Sequence, residues 1–324
     1  MCIRDSLRPG GISSITLRSR SPYTARASDR GIGVAHFLIF WTFMFYAGSF
    51  AWNLLRGLIP ALPIPYADEV AVVSLPMEIL SVLALVALAG AALRRYVFTP
   101  PRLERSGDAS FILVLITVLL VTFLLGQGAK ALTEDVWWSP AGNVAASILG
   151  WFGADASSAG TIFVWMWWVH MLAVLGFFAY LPYSKHVHLL ASPLSVYTAS
   201  LEPGGMPPAS EGAATLEQFT WRELYNALAC AECGRCDRVC PAYASGTALS
   251  PRDLVHGVKE MVLGAAAGKN GSEPLVGGLV STDAIWACTT CMACMERCPV
   301  FNEHIPLITE MRRHLVAQGE LEGG

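Results

Sequence analysis

Eight of the nine cysteines fall into two groups of identical spacing. The first is Cys230-x2-Cys233-x2-Cys236-x3-Cys240 followed by Pro241, and the second is Cys288-x2-Cys291-x2-Cys294-x3-Cys298 followed by Pro299. Thiolates at these intervals are the bacterial run for binding [4Fe–4S] clusters. Three cysteines two residues apart let one short loop reach three corners of a cubane. The fourth, after three more residues and before a proline, points away and serves the other cluster. The spacing therefore assigns one cluster to Cys230, Cys233, Cys236 and Cys298, and the other to Cys288, Cys291, Cys294 and Cys240. Zinc is the competing metal, but it makes no use of a repeated eleven-residue pattern with a closing proline. A secreted disulfide framework is disfavoured because the spacings are too short and too regular. Ala231, Gly234 and Ala293 are small enough for backbone amides to approach the cluster sulfurs, which tunes potential. Arg235, Arg238, Arg297, Arg312 and Arg313 flank the motifs. They either balance cluster charge or dock a partner, and for Arg312 and Arg313 a solvated helix face is as good an account.

Histidine supplies the second candidate chemistry. Of seven histidines, His36, His170, His186 and His188 lie in or beside long apolar segments. Ionisable groups in a bilayer are costly and are functional candidates by default. A neutral imidazole is also an axial ligand for haem iron. A histidine hydrogen-bonded to a neighbouring helix is an equal alternative.

Four stretches must position these histidines. Segments 32–55, 70–93, 110–132 and 161–183 each approach the roughly 20 apolar residues that span a bilayer. The piece Val144–Phe152 is too short to span and is expected at the surface. A composition of 54% hydrophobic and 15% charged residues suits a membrane half joined to a soluble half. The net charge of −3 gives no reason to expect a nucleic-acid partner. Arg4, Arg8, Arg18, Arg20, Arg26 and Arg30 precede the first span, and Arg94, Arg95, Arg102 and Arg105 separate the second from the third. The other two loops carry Asp68, Glu69, Glu134, Asp135 and Asp155, with Arg56 and Lys130 near the helix ends. The positive-inside rule then puts both termini and the cysteine domain on the cytoplasmic side. His36 sits about one turn into the first span, and His188 at or just beyond the inner end of the fourth, so the two reach similar depth. His170 lies about 27 Å away from His188 along a straight helix. No other membrane-half histidine is available at that level to pair with it.

The expected organisation is all-α: a basic segment 1–31, a membrane domain 32–198, a linker 199–215 and a helical two-cluster domain 216–320. Residues 1–6 read as translated adapter sequence, and Cys2 has no assigned role. Thr215 and Gln218 stand at capping-box spacing and predict a helix from Leu216 to about Leu228. Ser250, Pro251 and Asp253 start another that runs to about Leu263. Residues 264–278 are a Gly-rich loop, and Ser281 or Thr282 caps a short helix into Cys288. Pro306 opens a last helix that stops at Gly319.

The segments CAECGRCDRVCPA, ALSPRDLV, IWACTTCMACMERCPV and EHIPLITEMRR resemble membrane-bound iron–sulfur oxidoreductases related to heterodisulfide reductase, including the electron-transfer-flavoprotein:quinone type. The membrane half resembles the cytochrome b (gamma) subunit of respiratory nitrate reductase, which occurs fused to such domains. In the fourth span His170, Pro182, Tyr183, Ser184, Lys185 and His188 match that subunit's spacing. The resemblance implies one b-type haem between His36 and His188. A second haem would pair His170 with the residue ten positions after His36, which here is Tyr46. It also implies a prokaryotic cytoplasmic membrane and contact with lipid. Menaquinone or ubiquinone is the implied substrate, and the implied redox partner is an electron-transfer flavoprotein or a cysteine-rich reductase domain. Lys185 and His186, near the inner face, are candidates for a quinone site. The usual helix before the first span and the Cys-Cys pair of larger relatives are missing. The chain is therefore expected to be a piece of a longer protein, or a subunit whose catalytic part is separate. Electron relay is the leading expectation, and a ferredoxin-like carrier on a haem-free membrane anchor is the alternative. A self-contained reductase lacks any supporting nucleotide motif or catalytic triad.

Overall fold

The structure, a computed structural model, describes residues 27–98, 107–134, 136–200, 211–268 and 274–320. The N-terminal segment with Cys2 and its first five arginines, Arg102 and Arg105, Asp135 and linker residues 201–210 lie outside the described residues. The chain divides into two compact units, with the break between Tyr180 and Leu181.

The first unit holds α1 (Ala27–Leu58), α2 (Ala71–Tyr96), α3 (Gly107–Ala131), α4 (Pro140–Trp151) and α5 (Ala156–Tyr180). Four of these helices are long and apolar enough to cross a membrane. Long apolar runs form helices there because a backbone in lipid must satisfy its own hydrogen bonds. The helix α1 packs on α2, and α3 packs on both α4 and α5. The fourth long helix is shorter at its C-terminal end than 161–183. It stops at Tyr180, and Leu181–Tyr183 forms a 3₁₀ turn around Pro182, which lacks the N–H that would continue the ladder. A new helix, α6 (Val187–Tyr197), then carries His188. The straight-helix distance from His170 to His188 therefore does not apply.

The interior of this unit contains polar groups that are all the more costly in an apolar surround if unpaired. Tyr46 Oη lies 2.7 Å from Ser81 Oγ, and its ring stands edge-on to Phe123 at 5.3 Å. Glu78 on α2 is fully buried. Its carboxyl group accepts from the Ser139 hydroxyl, from Ala141 N at 2.9 Å and from Gly142 N at 3.3 Å. The two amides are donors that the first turn of α4 leaves unpaired. A residue from another helix thus caps α4 in place of Ser139, whose side chain makes no capping bond. The turn before the apolar piece Val144–Phe152 is thus anchored to α2, while Val144, Ile148, Trp151 and Phe152 of the piece itself are exposed. Glu78→Ala should cost about 3 kcal/mol, because it strands three buried donors. Glu78→Gln, which keeps an acceptor, should cost distinctly less. Denaturation of the purified protein in detergent reads both.

The second unit contains α6, α7 (Trp221–Leu228), α8 (Pro241–Ala244), α9 (Pro251–Ala266), α10 (Thr282–Trp286), α11 (Ala293–Arg297) and α12 (His304–Ala317). The fold is all-α, as expected from the sequence, and the β structure among the described residues is one isolated bridge between Val276 and Val280. The core gathers Leu249, Val258, Leu275, Ile285, Ile308 and Met311, each at most 1% exposed. Each such side chain contributes about 1.5–3 kcal/mol relative to exposure.

The single helix expected over Leu216–Leu228 is two elements. Thr215 and Gln218 do form a capping box, but it closes only a 3₁₀ turn at Leu216–Gln218. A second box, Thr220 with Glu223, restarts the chain as α7. Ser250 accepts from Asp253 N at 3.1 Å to start α9, and Ser281, not Thr282, caps α10. Residues 211–215 pack into this unit. Gly212 has φ of +85°, and a Cβ there would meet His314 N at 2.0 Å, so only glycine fits against the backbone of α12. Ala213 N then donates to Glu310 O at 3.0 Å.

Candidate metal centre

The Cys-x2-Cys-x2-Cys stretches of the two motifs share their left-handed turns at an offset of 58, although Asp237–Val239 is a 3₁₀ turn where the second motif has the helix α11. Glu232 and Thr290 both have φ of +52°, and Gly234 and Met292 follow at +66° and +62°. Left-handed residues at these points turn the chain twice within each Cys-x2-Cys-x2-Cys stretch. The conformation is strained for three of the four, at roughly 1–2 kcal/mol each. Turns of this kind aim successive backbone N–H groups inward and make a pocket for negative charge. Thr290 N donates to Cys288 Sγ at 3.4 Å, and the amide of Glu232 donates to Cys230 in the equivalent position. Asn302 N donates to Cys298 Sγ at 3.2 Å. Such bonds are what a cluster's sulfur ligands receive.

The thiols fall into two neighbourhoods. Burial pushes the Cys230 thiol up to about 12, with Cys298 and Cys233 adding their charge. Cys236 is raised by burial, by Asp237, and then by Cys233, Cys298 and Cys230. On the other side, burial pushes Cys294 up to about 12, with Cys288, Cys240 and Cys291 contributing. Cys288 is raised by burial and by Cys240 and Cys291. Cys298 is also pushed to about 12 by burial, and it senses both Cys233 and Cys294. That overlap fits adjacency: Cys236 and Cys288 both pack against the small cluster of Cys294, Met295 and Ile305. Among the described residues no three His, Cys, Asp or Glu side chains converge as ligands of one ion. A cubane asks for a wider arrangement, because each thiolate binds a different iron. Cys233 and Cys291, the second cysteine of each motif, are exposed.

Each first cysteine also has a cation on its carbonyl. Lys259 of α9 donates to Cys230 O at 3.1 Å. Arg312 of α12 donates to Cys288 O at 2.5 Å, to Ile285 O at 2.9 Å and to Trp286 O at 3.2 Å. Its guanidinium also lies 5.2 Å over the Trp286 ring. Arg312 therefore caps α10 and pins the second cysteine loop, and a solvated helix face does not describe it. Neither cation has a sequence signature, because each reaches its carbonyl through tertiary packing. Arg312→Ala should destabilise the second unit by about 2–3 kcal/mol, since it leaves buried carbonyls unpaired. A chemical denaturation curve would show it.

The histidines occupy different settings. His36 is exposed on α1. His170 on α5 has Nδ1 3.0 Å from Thr122 Oγ1 on α3, an interhelical bond. His188 has Nδ1 2.6 Å from Lys185 O, and its ring lies 5.6 Å from that of His186. A bond from Nδ1–H to a carbonyl fixes the tautomer that leaves Nε2 as the ligand nitrogen. Burial lowers its pKa to about 4, which favours the neutral ring. Lys185 itself pairs with Glu232, inside the first cysteine loop, at 2.5 Å. The helix α6 packs beside α7, with Tyr225 Oη donating to Leu190 O at 3.3 Å and Ser195 Oγ to Val300 O at 3.2 Å.

Residues 226–302 match the 4Fe-4S dicluster domain family. The chain is 30% identical to the probable iron-sulfur-binding oxidoreductase FadF of Bacillus subtilis (strain 168), across 91% of this chain and 48% of that protein. It is 32% identical to the EtfAB:quinone oxidoreductase of Syntrophomonas wolfei, across 76% of this chain and 41% of that protein. It is 36% identical to a probable membrane-anchored ferredoxin of Chromohalobacter salexigens, across 31% of this chain and 18% of that one. The chain thus spans less than half the length of each of these relatives. No solved structure matches it. Its homologues are iron–sulfur oxidoreductases and electron carriers, some of them membrane-anchored, which supports [4Fe–4S] clusters as its cofactors and electron transfer as its chemistry.

Proposed function

We propose that this chain is the electron-relay part of a membrane oxidoreductase, passing electrons between a cytoplasmic redox partner and the quinone pool. Two [4Fe–4S] clusters and one b-type haem carry the electrons. One cluster is held by Cys230, Cys233, Cys236 and Cys298, the other by Cys288, Cys291, Cys294 and Cys240. The haem takes His188 and His36 as axial ligands, the pairing that the resemblance implies. These groups supply one-electron chemistry when bound. The protein supplies the thiols, the inward amides and the fixed imidazole. The single observation that supports the reading most is that Cys298 lies near Cys230, Cys233 and Cys236 in charge coupling, and Cys240 near Cys288 and Cys294, across the two motifs.

Several observations support the finer parts. His188 shares a unit with the cysteine loops and feels the charges of Lys259 and Glu232, which suits an electron path between the first cluster and a haem. The name of the Syntrophomonas relative motivates a quinone and an electron-transfer flavoprotein as partners, and the resemblance to heterodisulfide reductase motivates a thiol–disulfide domain instead. Arg94 and Arg95, set against the acidic loops, motivate the cytoplasmic side of a prokaryotic inner membrane for the clusters. The exposed second cysteines offer electrons an edge to enter or leave.

A second reading is a ferredoxin-like carrier on a haem-free anchor, in which the membrane histidines only bond to neighbouring helices. His170 is bonded to Thr122, as membrane histidines without a metal are. A visible spectrum of the purified membrane protein decides between the two. The relay requires a dithionite-reducible b-type band, and the anchor shows none.

A further inference from the structure

Glu232 is the one acidic residue inside a Cys-x2-Cys loop of either motif. Its side chain is 10% exposed and meets three basic groups: Lys185 at 2.5 Å, Lys259 at 3.0 Å and His256 at 3.4 Å. Lys259 is itself only 3% exposed, and its second bond goes to the carbonyl of Cys230. Such burial of opposite charges is a poor source of stability, because desolvation offsets the attraction. The loop shape does not call for a carboxylate either. Thr290 stands at the equivalent place in the second motif with the same φ, no charge, and the same amide bond to the preceding cysteine. Arg312 serves the Cys288 carbonyl with no carboxylate beside it in the equivalent place. The charge is therefore a difference between two otherwise matched loops, and it sits where charge acts on a cluster most strongly.

We infer that Glu232, with Lys185 and Lys259, is a positioning group that sets the reduction potential of the first cluster separately from the second, and that Lys185 ties this loop to the segment carrying His188. The inference rests on the cysteines being [4Fe–4S] ligands. A reduced cluster carries one more negative charge than an oxidised one. A fixed anion at close range disfavours reduction, and a fixed cation favours it, in a region where effective screening is far weaker than in water.

The test is a potentiometric titration of the full chain, reconstituted anaerobically in detergent and followed by electron paramagnetic resonance. Glu232→Gln should raise one of the two cluster midpoints by about tenfold in the reduction equilibrium, or about 59 mV for one electron. Lys185→Met should lower that same midpoint, and the other midpoint should stay in place in both variants. Unmoved midpoints, or two that shift together, would overturn the inference. If Glu232→Gln fails to hold iron at the wild-type level, Lys185→Met alone decides, because it leaves the cysteine loop unaltered. A wild-type protein with no [4Fe–4S] signal would instead sink the ligand assignment itself.

Discussion

Removing Cys233 and Cys298 together should leave one [4Fe–4S] cluster and about four non-haem irons per chain, while removing Cys233 and Cys240 together should strip both clusters. The contrast follows from the exchange of the fourth ligand. Cys298 lies in the second motif, yet its electrostatic neighbours include Cys233. Cys240 lies in the first motif, yet it acts on Cys288 and Cys294. If each motif instead closed on its own cluster, the outcomes of the two double variants would be reversed. Cys→Ala at both positions is suitable, since a serine oxygen can still bind iron. Iron and acid-labile sulfide, measured on the same sample, give the readout. The surviving cluster should be held by Cys288, Cys291, Cys294 and Cys240, so adding Cys294→Ala to the first pair should take the iron to near zero.

His188→Ala should abolish the b-type visible band while about eight non-haem irons remain. The loss should be near complete, because an axial ligand cannot be replaced by a methyl group. His188 is oriented by the carbonyl of Lys185 at 2.6 Å, which leaves Nε2 to bind iron. Two controls make the result specific. His186→Ala removes the neighbouring ring, 5.6 Å away, and should keep the band. His170→Ala should keep it as well, because His170 is engaged with Thr122 and the residue that would complete a second haem is Tyr46, itself bonded to Ser81. Loss of the band in His170→Ala with retention in His188→Ala would place the haem elsewhere and remove the basis for the relay.

The parts of this protein that could be read from sequence are those set by local pattern. Four long apolar runs become four long helices, and repeated cysteine spacing predicts two loops of one kind. The structure adds to this the left-handed residues at Glu232, Gly234, Thr290 and Met292, of which only Gly234 announces itself by residue type. Helix ends were legible to within a turn where a cap was present. Where two capping boxes stood in series, at Thr215 and Thr220, periodicity could not show that the chain breaks between them. Composition alone groups residues 181–198 with the membrane half, since Val187–Tyr197 is apolar. Packing groups them with the cysteines, because α6 bonds to Tyr225 of α7 and to the Val300 carbonyl after the second cysteine motif. The interactions least visible in advance are those of Lys259, Arg312, Lys185 and Glu78. Each acts on a backbone or a charge more than twenty residues away, and no spacing rule connects such pairs.

Two cubanes enclosed by eight thiolates are the premise beneath every other statement about this chain. Metal and sulfide analysis of the anaerobically purified protein tests it most directly, alongside resonance spectra of the dithionite-reduced sample. The account predicts about eight non-haem irons and about eight acid-labile sulfides per chain, with a reduced signal broadened by two neighbouring spins. One zinc for each four cysteines, with no labile sulfide, would contradict it.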